Sequence, residues 1–128
     1  MIDHLGISVS DYPQSKAFYL RVLAALGHQC IMEVTPEMTG TDSWHAGFGS
    51  NQKPSFWISS AGAICASIHI AFTASSRAEV DAFYHAALAA GGKDNGAPGL
   101  RPIYHPHYYG AFILDMDGHN IEAVCHSA

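Results

Sequence analysis

Near the start of the chain Leu5, Ile7 and Val9 are apolar while His4, Gly6 and Ser8 are small or polar, the period-two pattern of a strand with one buried face. Ile68, Ile70 and Phe72 alternate with His69, Ala71 and Thr73 in the same way, so each histidine lies on the face opposite the apolar one. After each strand the period lengthens. Phe18, Val22 and Leu26, and later Val80, Phe83, Ala87 and Leu88, recur at helical spacing and would lay an apolar stripe over the strand's apolar face. Asp11 is a fitting N-cap for the first helix, with Pro13 in its first turn; Ser76 and Glu79 have capping-box spacing for the second. Gly27 and Gly92 are placed to end the two helices.

These two stretches are one pattern used twice. Residues 4–27 lie on residues 69–92 without a gap at a constant offset of 65, pairing His4 with His69, Ser10 with Ser75, Ala17-Phe18-Tyr19 with Ala82-Phe83-Tyr84, and Gly27 with Gly92. Strands are expected near 28–35, 43–49 and 54–60 in the first half, and near 108–115 and 119–126 in the second, where 94–99 reads as a loop. Each half is then a strand, a helix and about three strands. The expectation is an α+β fold in a single domain, 1–128, of two βαβββ halves near 1–62 and 63–128, with helices on one side and a concave polar-phase surface on the other.

In the last strand Asn120, Glu122, Val124 and His126 share one phase, and Ile121, Ala123 and Cys125 the other. A carboxylate on such an apolar strand is costly unless paired or bound. His4, His69 and Glu122 therefore offer two imidazoles and a carboxylate to the concave side, a set that suits a transition metal with positions open to water or substrate. Hydrogen-bonded core histidines are the alternative.

Composition narrows the function classes. Charged residues make up 13% of the chain against roughly 25% in an ordinary soluble protein, so part of the surface is expected to be covered by self-association. The formal net charge is −5 and the basic residues are dispersed, which disfavours nucleic acid as a partner. Three separated cysteines with no CxxC pair read as reduced thiols. With no leader-like start and no run of eighteen apolar residues, the chain reads as cytoplasmic and not membrane-bound.

The opening DHLGISV, the SIHIAF strand, the AFYHAALAAGG helix and the closing FILDMDGHNIEAV together resemble the vicinal-oxygen-chelate superfamily, which includes glyoxalase I, bleomycin and fosfomycin resistance proteins, and extradiol dioxygenases. DMDGHNIEAV is the most specific element, close to the family pattern D-P-D-G-x-x-I-E with Met116 where proline is usual. The resemblance implies tandem βαβββ modules forming a curved mixed sheet around a metal-binding groove, commonly in a homodimer. It implies a divalent ion (Zn, Ni, Mn or Fe) held by His4, His69 and Glu122, and a lyase or isomerase of the lactoylglutathione lyase type acting on a small molecule with vicinal oxygens. An extradiol-type dioxygenase and a non-catalytic binding protein of the bleomycin-resistance kind are the alternatives. One departure bears on this: the offset of 65 carries Glu122 back to Trp57, where glyoxalase I has a further ligand, and an indole cannot ligate a metal.

The segment from Gly99 to Tyr109 is dense in groups that donate, accept and stack. Arg101 is a candidate for a substrate carboxylate, and His105, His107 and Tyr109 are candidate proton carriers. Trp57, Phe48 and Tyr104 would furnish aromatic walls for a small-molecule pocket. Tyr108 and Tyr109 leave a strand on opposite faces, so at most one looks into the groove.

Overall fold

A computed structural model describes residues 1–65 and 68–128 of the chain. The elements run β1 (Leu5–Ser8), α1 (Tyr12–Ala24), β2 (Gln29–Val34), α2 (Pro36–Thr39), β3 (His45–Ser50), β4 (Lys53–Ser59), β5 (His69–Thr73), α3 (Arg77–Ala89), β6 (Lys93–Leu100), β7 (Tyr109–Leu114) and β8 (Asn120–Cys125). They form two mixed four-stranded sheets, ordered β1-β4-β3-β2 and β5-β8-β7-β6. In each, the first strand lies parallel to the fourth and the other pairings are antiparallel. The architecture is α+β, with β1 and β5 at sheet edges.

The helix ends follow from the residues at them. Asp11, in extended backbone, accepts the Gln14 amide at 3.0 Å, and Ser76 accepts the Glu79 amide at 3.2 Å. The Glu79 carboxylate does not close a box on Ser76; it takes the Ser75 amide and hydroxyl, both at 2.7 Å. α1 ends on Gly27 at φ +80°, with the His28 amide donating to the Leu23 carbonyl at 3.0 Å. α3 ends at the equivalent residue, Ala89, but its left-handed glycine comes one position earlier than in the first repeat. Gly91 takes the left-handed conformation at φ +100°, and Gly92 instead donates to the Ala87 carbonyl.

Two other expectations are corrected. Residues 94–99 are not a loop but part of β6, an edge strand whose register against β7 slips twice, at Asp94/Gly96 and Gly96/Gly99. Its glycines and proline break the alternation, and an edge position tolerates the missing Pro98 amide proton. Leu88 is 38% exposed and leaves the apolar stripe, which Val80, Phe83 and Ala87 form alone. The short α2, capped by Thr35, was hidden among turn-forming residues.

Both modules contribute to one core. Phe18, Tyr19, Val22 and Leu23 of α1 and Val80, Phe83 and Ala87 of α3 are buried with Phe48, Phe56, Ile58, Ile113, Ile121 and Ala123 of the sheets. Phe56 of β4 meets Phe72 of β5 edge to face at 5.2 Å. Asp115, in the turn before β8, accepts the Tyr19 hydroxyl at 2.5 Å and the amides of Asp117 and His119 at 3.0 and 2.9 Å. One buried carboxylate thus shapes the turn and fastens it to the other module's helix, and burial together with that carboxylate keeps the Tyr19 hydroxyl protonated. With the helices on one side, the opposite face of each sheet is open.

Candidate metal and ligand site

Glu122 lies in the middle of β8, paired with Ala71 of β5 and Phe112 of β7, and is 1% exposed. Its neighbours in sequence, Ile121 and Ala123, enter the core, so its carboxylate is directed to the open face. One oxygen accepts the Tyr108 hydroxyl and the other stands 3.2 Å from His69 Nε2. His69 Nδ1 is 3.1 Å from the Asn120 carbonyl, which can only accept, so Nδ1 carries the proton. In the neutral ring, Nε2 and a carboxylate oxygen then face each other as two bare acceptors. Only a proton or a cation between them makes that contact favourable. Two donors at about 2.1 Å from a shared ion stand roughly 3.0–3.4 Å apart, so this pair has the spacing and chemistry of two metal ligands.

The third expected ligand is elsewhere. His4 precedes β1, is exposed, and bonds Asp3 at 2.6 Å. Among the described residues no three His, Cys, Asp or Glu side chains are grouped closely enough to hold a metal. Instead His4 lines a cavity of about 540 Å³ on the open face of the first sheet, with Ile7, Ser8, His45, Trp57 and Ser59 among the other walls. The physical reason is topological: His4 precedes and His69 begins an edge strand, and the two strands belong to different sheets.

The aromatic and basic candidates divide between the faces. Arg101 comes onto the open face of the second sheet, its guanidinium over Phe112 at 5.6 Å and bonded to the Ala97 carbonyl at 2.7 Å, while His69 stacks on the same Phe112. Tyr104 is exposed and meets Tyr108 edge to face at 4.8 Å. His105 accepts the His107 amide at Nδ1, so Nε2 of the neutral ring carries the proton and donates to His126 Nδ1 at 2.7 Å. The His107 side chain is exposed.

Two candidates move to the other side. Phe48 is buried among Tyr19 and Phe56 in the core and offers no wall to a pocket. Tyr109 donates to Asp81 of α3 at 2.7 Å and lies under Arg77, on the helix side. It shares the phase of buried Ala111 and Ile113, which was the available signal; Tyr108 shares that of Gly110 and Phe112 and is the tyrosine that reaches Glu122. Burial and the hydrogen bond to Glu122 push the Tyr108 hydroxyl up, keeping it a donor. His126, left out of the sequence-based site, was signalled only by its phase with Glu122.

Residues 1–123 match the family model of the Glyoxalase/Bleomycin resistance protein/Dioxygenase superfamily, and the chain belongs to that superfamily. A search of curated proteins finds no match. Among solved structures, it is similar to a glyoxalase/bleomycin resistance protein from Albidiferax ferrireducens T118, at 27% identity and a TM-score of 0.78 over 96% of this chain and 97% of that one. Glyoxalase I from Zea mays shares the fold at 19% identity and a TM-score of 0.71, with 97% of this chain matching 45% of that one. The fosfomycin resistance protein FosX from Listeria monocytogenes does so at 19% identity and 0.69, over 99% and 93%.

Proposed function

We propose that the chain is a divalent-metal-dependent enzyme, of the glyoxalase-related lyase or isomerase type, acting on a small molecule with vicinal oxygens. The observation that carries this reading is the pair of acceptors, His69 Nε2 and Glu122, held 3.2 Å apart on the open face. His69 and Glu122 would hold the ion together with His4 of a second copy, because His4 in the same chain lies on the other sheet. A bound zinc, nickel, manganese or iron would supply Lewis acidity toward a substrate oxygen. Around it Tyr108 fixes the Glu122 carboxylate, Asn120 fixes the His69 tautomer, and Arg101 offers a guanidinium to an anionic substrate group. His105 and His107, at the rim beside Tyr108, are the remaining proton carriers.

A second reading, a protein that binds its ligand without turnover, is favoured by Trp57. The indole occupies the repeat position of Glu122 and removes the carboxylate that would face the metal from the first sheet. The test is elemental analysis of untagged protein beside Glu122→Ala, followed by turnover assays on the loaded wild type. Near-stoichiometric metal lost in the variant, with metal-dependent turnover, is expected; iron with oxygen uptake on catechols would redirect the chemistry to dioxygenation. No metal in either protein, and none on reconstitution, would overturn the enzyme reading in favour of the binding protein.

A further inference from the structure

The internal repeat allows the two sheets to be compared position by position. In the second sheet the row across three strands is Ala71, Glu122 and Phe112; in the first it is Gly6, Trp57 and Gly47. Where the carboxylate has become an indole, both flanking side chains have become hydrogen. This pairing is directional. A Cβ at Gly47 would stand 2.8 Å from Pro54 Cβ, 2.8 Å from Trp57 Cζ2 and 2.9 Å from Trp57 Cε2, so the six-membered ring of the indole lies over the Gly47 backbone beside Pro54. At Gly6 a Cβ would meet the Trp57 backbone oxygen and Cβ at ordinary contact distances. Core packing does not explain the ring, because the apolar phase of β4 is carried by buried Phe56 and Ile58, while Trp57 is only half-buried and lines the open cavity of about 540 Å³.

We infer that Trp57, lying over Gly47, is a stacking floor that selects a planar, conjugated small molecule as the ligand of this site. Resting on the site reading above, the inference narrows the substrate class from any molecule with vicinal oxygens to one whose oxygens sit on a flat π-system. A ring laid on the indole gains contact with one whole face of a rigid aromatic surface, which a puckered saturated ring cannot match. Polar groups for the edge of such a ligand stand around the floor: Ser8, Ser59 and His45, the last held by Ser43 at 3.1 Å, with His4 at the mouth.

The test uses two probes, 2,3-dihydroxynaphthalene and cyclohexane-1,2-diol, titrated calorimetrically into the full-length wild type, Trp57→Leu, Trp57→Phe and Gly47→Ala. The ratio of the two affinities is compared between proteins, so that the different chelating strengths of the diols cancel. The planar-to-saturated ratio is expected to fall roughly tenfold in Trp57→Leu, to be partly retained in Trp57→Phe, and to fall in Gly47→Ala, where the new methyl presses on both the indole and Pro54. Metal content is expected to be unchanged in all three. In a Trp44→Phe background, which leaves Trp57 as the sole indole, the naphthalene probe should quench the emission and cyclohexanediol should not. An unchanged ratio in Trp57→Leu, or quenching absent in Trp44→Phe, overturns the floor even when metal is bound. Quenching by the naphthalene probe in a protein that binds no metal would uphold the floor and fell the metal reading alone.

Discussion

At the scale of single residues, the site depends on which hydrogen-bond roles are already taken. Asn120 occupies His69 Nδ1 and Tyr108 occupies one oxygen of Glu122, leaving Nε2 and the other oxygen to face each other across 3.2 Å, a gap that a proton or a cation fills. Replacing Tyr108 by Phe leaves a buried carboxylate oxygen without its donor, at a cost of about 1–3 kcal/mol. Chemical denaturation should show that loss, together with weaker metal retention on dialysis against a chelator. Tyr109→Phe, which breaks a bond to Asp81 on the helix side, should leave metal retention unchanged and so separates the two neighbouring tyrosines.

At the scale of elements, apolar phases hold the strands and helices in one shared core, and particular polar contacts fasten elements to one another. Tyr19 of α1 and the turn before β8 meet through the buried Asp115 carboxylate. Tyr19→Phe removes the only side-chain donor on that carboxylate among the described residues and should destabilise the protein by about 1–3 kcal/mol, measured as a lower urea midpoint at unchanged slope. Within the first module a contact joins α1 to β2, where Glu33 accepts from both Lys16 and Tyr12 at 2.7 Å. Lys16 first, and Tyr12 after it, hold the Glu33 carboxyl below its ordinary value. A depressed folded-state pKa means that this contribution is present above the unfolded value and is lost as pH falls through the folded one. The stability gap between wild type and Glu33→Gln should therefore hold at neutral pH and close below about pH 4; the pair is partly exposed, so the gap is under about 1 kcal/mol.

At the scale of the whole molecule, His4 and His69 with Glu122 lie on separate sheets, and under the proposed function a second copy would be needed to bring them together. The consequence is complementation. His4→Ala and His69→Ala should each lose bound metal, whereas a refolded equimolar mixture should recover about one quarter of the wild-type metal, since half the dimers are mixed and each holds one intact site. Metal analysis of the mixture checks this; recovery of none would mean that the three residues do not share a site between copies. The low charge content of the chain agrees with a covered surface.

Much of this is legible in the order of the residues. Alternation and helical spacing depend on local geometry, so the strands, both main helices, the Asp11 cap and the repeat could be read from order alone, and the repeat also identified Trp57 as the counterpart of Glu122. The glycine-broken β6 could not, because its pairing comes from β7 rather than from its own pattern. Nor could the assignment of Phe48 to the core, or of His4 and His69 to different sheets. Sequence periodicity says which residues share a face of a strand, but which face a neighbouring helix covers, and which sheet a strand joins, are decided by long-range packing that only the folded chain contains.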